Sequence, residues 1–96
     1  MEIYVFVPFH ACAGQEERVR ELLESILEPT RAEPGCLSIH LFRSVRDRRL
    51  FYIHSRWKGL EAIEEHQRFP HMVKFLIEVQ PLVDHPLEAI RTEMVG

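Results

Sequence analysis

The period of the hydrophobic positions changes repeatedly along the chain, and each change marks an element. From Ile3 to about Ala11, the residues Ile3, Val5, Val7 and Phe9 alternate with Tyr4, Phe6, Pro8 and His10. This two-residue period predicts a strand that is apolar, and so covered, on both faces. Pro8 has no N–H for a ladder, which predicts an edge position or a bulge. After Gly14, a helical period over Gln15 to Glu28 puts Val19, Leu22, Leu23, Ile26 and Leu27 on one stripe, with Glu16 and Glu17 at the positive end of the dipole. Pro29 predicts a kinked last turn or a loop leading to Pro34-Gly35. Cys36 to about Ser44 alternates again, with Leu37, Ile39 and Leu41 opposed to Cys36, Ser38, His40 and Phe42. The charged tip Arg46-Asp47-Arg48-Arg49 turns the chain into Leu50 to Trp57, where Phe51, Ile53, Ser55 and Trp57 share one face and Tyr52, His54 and Arg56 the other. Symmetry of that hairpin about Asp47 would make His40 and His54 cross-strand neighbours.

Gly59 ends the strand and the period lengthens once more. At about 100° per residue, Leu60, Ala62, Ile63, His66 and Phe69 gather on one side of a helix, opposite Glu61, Glu64, Glu65 and Arg68. His66 therefore lies in the middle of an apolar stripe. Pro70 ends this helix or opens the next, which runs over Met72 to Val79 until Pro81. Leu87 to about Met94 alternates weakly as a last strand. The order βαββααβ predicts an α+β fold, a ferredoxin-like sandwich with helices over one sheet face, as a single domain over residues 1–96. The other face, carrying His40, Phe42, Tyr52 and His54, is too aromatic to be left in water. A chain of 96 residues has little surface to spare, and a homodimer burying that face is expected.

Composition narrows the function classes. The net charge is −3 with both signs dispersed, so nucleic acid and anionic membranes are not expected partners. No segment has the length of a membrane span, and the apolar N-terminus lacks the basic region of a secretion signal. Two cysteines, Cys12 and Cys36, without a short-spaced pair fit a reduced, cytoplasmic chain. No phosphate loop or nucleophile elbow is present. His66 and His71 are not spaced for one helical face, and His40 with His54 has no evident third ligand, so neither a metal nor another cofactor is expected.

Phe51, Trp57, Ala62, His66 and the Pro70-His71 pair occur in an order that resembles the antibiotic biosynthesis monooxygenase family. The run Arg31-Ala32-Glu33-Pro34-Gly35-Cys36-Leu37 resembles that family's approach to its second strand, and the likeness covers nearly the whole chain. It departs from the family at Ile39, where a tyrosine is common, and at Ser55, where a glutamate is common. The chain contains no asparagine, so the Asn, Trp, His arrangement of haem-degrading relatives is not reproduced.

The resemblance implies a dimeric α+β barrel and a cofactor-independent monooxygenase that uses molecular oxygen on a small phenolic or quinol-like compound. In that reading His66 is the base or orienting group and Trp57 an aromatic wall. Ser55 or Tyr52 would donate a hydrogen bond, according to which sheet face lines the cavity. His71 matches the family's Pro-His pair but falls on the polar side of its helix, where a surface or capping role competes. His66 and Trp57 also read simply as core residues, the first satisfied by backbone and the second filling space. Two other functions fit the same residues. One is an isomerase or processing enzyme for a small phosphorylated carbonyl compound, an activity of one branch of the family. The other is a dimeric protein that binds a hydrophobic ligand without turnover.

Overall fold

A computed structural model describes residues 1–96. Four strands, β1 (Ile3–His10), β2 (Cys36–Arg43), β3 (Leu50–Trp57) and β4 (Ile90–Thr92), form one antiparallel sheet in the order β2-β3-β1-β4. The helices α1 (Glu16–Ser25), α2 (Leu27–Arg31), α3 (Leu60–His66) and α4 (Pro70–Val79) complete the ferredoxin-like α+β fold. No helix is long and apolar enough to cross a membrane.

The alternation in β3 holds as read: Phe51, Ile53, Ser55 and Trp57 are buried while Tyr52 is exposed. The β2–β3 hairpin is symmetric about Asp47, and His40 lies opposite His54. At the other end of β2 the expected alternation fails. A β-bulge between Cys36 and Ser38 sets Cys36 opposite Trp57, so Cys36 turns inward against the core and Leu37 is left 40 % exposed. One extra residue on a strand reverses the facing of everything before it.

Pro8 lies on an internal strand, not at the sheet's edge. β4 pairs with β1 only from Tyr4 to Phe6, so beyond Phe6 that side of β1 is open and a missing N–H is tolerated. The last strand is correspondingly shorter than Leu87 to Met94. Pro29 opens no loop. α1 stops at Ser25 and α2 restarts at Leu27, which puts Pro29 in a first turn, where N–H groups have no intrahelical partner anyway. Pro70 is likewise at the start of α4.

The main core joins Phe9, Leu23, Ile39, Phe51 and Phe75 between sheet and helices. A second cluster of Ile3, Val5, Trp57 and Ile63 closes the end of the sheet where α3 begins. Here Gly35 is required by close approach, because a Cβ on it would collide with Ala62 Cβ. The Lys58 N–H also donates to the Gly35 carbonyl at 3.0 Å. α3 is thereby seated against the loop that precedes β2, and Leu60, read as inward, is half exposed at its first residue.

The opposite end of the sheet is tied by charge. His10 Nδ1 lies 2.7 Å from Asp84 Oδ2 and its Nε2 2.7 Å from Asp47 Oδ2, while Arg49 reaches Asp84 at 3.3 Å. The His10 backbone N–H donates to His85 Nε2 at 2.8 Å. Carboxylates only accept, so both bonds form fully only with the imidazolium. The bonds to Asp84 and then Asp47 raise the His10 pKa, and the bond from the Arg49 N–H and the bond to His10 lead the lowering of the pKa values of Asp47 and Asp84 respectively. His10 therefore adds stability in full below about pH 6.5 and loses it as pH rises through its raised native value. The two aspartates add theirs above about pH 3.9 and lose it as pH falls through their lowered values. The gap in thermal midpoint between wild type and His10→Gln should be widest from about pH 4 to pH 6.5 and close towards pH 9. A gap that ignores pH would mean that the imidazolium is not what the clasp uses.

Candidate active site

Two stretches distant in sequence meet where α3 gives way to α4. His66 is the last residue of α3, His71 is the second of α4, and Glu33 lies in the loop between α2 and β2. The turn Gln67–Phe69 reverses the chain between the two helices, so both imidazoles face the same carboxylate. His66 Nδ1 is 2.8 Å from Glu33 Oε2 and 3.1 Å from Oε1, and His71 Nε2 is 3.0 Å from Oε2. The Glu33 side chain is 4 % exposed and that of His66 13 %. Thr30 Oγ1, wholly buried, lies 3.4 Å from His71 Nε2.

Because a carboxylate accepts, each imidazole nitrogen facing it donates. Burial pushes the His66 pKa below its ordinary value, outweighing the opposing bond to Glu33. The neutral ring then carries its proton on Nδ1 and presents Nε2 as an acceptor. His66 also lines an apolar cavity of about 260 Å³, whereas Glu33 and His71 do not. The ring thus has one edge on the buried carboxylate and another on the cavity.

The rest of the cavity is sheet and helix core. Val5, Ser55 and Trp57 come from the sheet, Ile63 from α3, and Met72 and Phe75 from α4. The Trp57 ring centroid is 4.6 Å from that of His66 at 44° between planes. Its Nε1–H donates to Ser55 Oγ at 2.8 Å, which fixes the indole and leaves the Ser55 O–H available as a donor. Tyr52 projects from the other face of the sheet, 41 % exposed, so of the two alternative donors only Ser55 lines the cavity.

The structure therefore brings His66, Trp57 and Ser55 to one cavity, sets His71 behind His66, and leaves Tyr52 outside. Glu33 was not singled out from the sequence. It sits in a Glu-Pro-Gly loop without periodicity, and its partners lie 33 and 38 positions away. The available signal was a lone acid beside Pro34-Gly35, inside the stretch that carries the family likeness.

The sequence profile described as antibiotic biosynthesis monooxygenase matches residues 2–76. The chain belongs to this family. It is 33 % identical over 69 residues, 72 % of the chain and 67 % of the relative, to "Putative monooxygenase Rv0793" of Mycobacterium tuberculosis. Over 71 residues it is 30 % identical to "Putative monooxygenase YcnE" of Bacillus subtilis, covering 74 % of the chain and 75 % of that relative. The solved structure of the Mycobacterium tuberculosis protein superposes with a TM-score of 0.94 at 25 % identity, covering 100 % of this chain and 97 % of the other. A structure described as an antibiotic biosynthesis monooxygenase gives 0.91 at 20 % identity, covering 98 % and 99 %, which speaks for the fold alone. Family and relatives together support a monooxygenase-like function on a small molecule.

Proposed function

We propose that the protein is a cofactor-independent monooxygenase that oxidises a small phenolic or quinol-like compound with molecular oxygen in the cavity beside His66. The observation that carries this reading is a neutral imidazole held by a buried carboxylate on one edge and open to an apolar, aromatic-walled cavity on another. His66 Nε2 takes the phenolic proton, and Glu33 holds the ring in the required tautomer and stabilises the imidazolium that forms. The substrate anion supplies the electrons. Its ring carbon bonds to one oxygen atom of O₂ to give a peroxide. Loss of the proton on that carbon with O–O cleavage yields a quinone and one water. The dry cavity keeps the anion poorly solvated, Trp57 stacks against its ring, and the Ser55 O–H orients its oxygen. Oxygen uptake with a reduced naphthoquinone above the buffer rate, with one hydroxyquinone formed per O₂ and no hydrogen peroxide released, would support this. Saturable binding of the quinol without oxygen uptake would leave a binding protein instead.

The outer sheet face supports a homodimer. Phe6, Phe42 and Tyr52 are exposed there, and His54 stacks on Phe6 at 4.6 Å. A second copy laid on this face would give these aromatic side chains apolar cover. Light scattering at micromolar concentration should give twice the chain mass of 11.4 kDa, and Phe42→Glu should return a monomer. A wild-type protein of single mass would refute the dimer.

A further inference from the structure

We propose that Glu33, His66 and His71 form a binding site for a divalent transition-metal ion, with Glu33 Oε2, His66 Nδ1 and His71 Nε2 as its ligands. The three atoms lie within 4.8 Å of one another, and Oε2 is 2.8 Å from one nitrogen and 3.0 Å from the other. Metal bonds of about 2.1 Å at octahedral angles separate neighbouring ligand atoms by about 3.0 Å and opposite ones by about 4.2 Å. The two O···N spacings match neighbouring ligand positions, with the carboxylate oxygen between two imidazoles whose nitrogens are no more than 4.8 Å apart. Two histidines and one carboxylate suit zinc, iron, cobalt or nickel better than calcium or magnesium, which prefer oxygen.

Charge gives a second, independent reason. Glu33 is 4 % exposed, and its oxygens meet no lysine or arginine, only the two imidazoles. A buried carboxylate is normally paired with a cation or bound to a metal, and no lysine or arginine fills that place here. The fully buried Thr30 hydroxyl, whose one hydrogen bond is the long contact to His71, provides a further polar neighbour. The site has a consequence for the cavity. A cation on His66 Nδ1 takes the place of the proton donated to Glu33, and the remaining ring proton then sits on Nε2. The edge that acts as base in the proton-bound form becomes a donor in the metal-bound form, so metal and general base are alternative states of one imidazole.

Binding can be read without turnover. Trp57 is the chain's single tryptophan and lies 4.6 Å from His66, so Co²⁺ bound to Nδ1 should quench its fluorescence. Untagged protein stripped with chelator and titrated with Co²⁺ should quench saturably at one ion per chain, and Zn²⁺ should displace it. Glu33→Gln and His71→Gln, checked for folding by circular dichroism, should each weaken binding by about 100-fold or more, at least the scale seen when even an outer-shell partner is lost. His40→Gln, on the outer sheet face, should bind as wild type. No quenching up to millimolar Co²⁺ would overturn the site and leave a hydrogen-bonded relay. Binding that survives Glu33→Gln and His71→Gln, or is lost in His40→Gln, would place the ion elsewhere and overturn it equally.

Discussion

Replacing His66 with alanine is expected to lower the rate of oxygen uptake with a reduced naphthoquinone by about 10²-fold or more, the usual scale for a lost general base. The same change removes one of the two donors on Glu33, and leaving a buried acceptor short costs about 1–3 kcal/mol. Stability should therefore fall, though less than activity. His66→Gln separates the two effects, since its side-chain amide can still donate to Glu33 but cannot act as a base. It should keep a thermal midpoint near wild type and lose turnover as alanine does. Full oxygenase activity in His66→Gln would defeat the catalytic role. Loss of activity only in variants that also unfold would leave His66 as a core residue.

Trp57→Ala is expected to have the largest effect on folding. The side chain is 1 % exposed and anchors the cluster of Ile3, Val5 and Ile63, and its N–H meets Ser55. Truncating a buried tryptophan costs about 3–5 kcal/mol, and in a domain of this size each kcal/mol moves the thermal midpoint by about 4–8 °C. The midpoint should fall by well over 10 °C, and at physiological temperature much of the protein should be unfolded. Trp57→Phe keeps most of the apolar wall and drops the indole N–H. It should fold, with a far smaller fall in midpoint, and show a raised KM for the quinol if Trp57 stacks on substrate. Should Trp57→Ala melt within a few degrees of wild type, the second cluster would not be holding α3 to the sheet.

What could be read along the chain was whatever a local period writes. The two-residue alternation of Phe51, Ile53, Ser55 and Trp57 and the helical stripe holding Ala62, Ile63 and His66 each record which side of one element meets the core, because burial repeats with the backbone's own geometry. Those patterns determined the α+β class, the inward face of β3, the placement of His66 on an apolar stripe and the element order, save that the first helix is split into α1 and α2. The hairpin's symmetry about Asp47 was legible for the same reason. Where one residue breaks a period, the pattern misleads: Leu37 and Cys36 exchange faces at a bulge, and Pro29 suits a helix restart that no local rule announces.

The site itself was decided only in three dimensions. Glu33 is joined to His66 and His71 across 33 and 38 positions, and nothing in its own loop marks it, since its importance comes from burial that the packing of α3 and α4 creates. Spacing alone separates His66 from His71, because five positions interrupted by Pro70 do not share a helical face. The turn between two helices then brings them to one carboxylate. The sheet face that lines the cavity, which chose Ser55 over Tyr52, was likewise settled by where the helices lie. A sequence fixes the identity of each donor and acceptor, but whether a histidine is a solvated surface group or a desolvated base depends on what is folded over it.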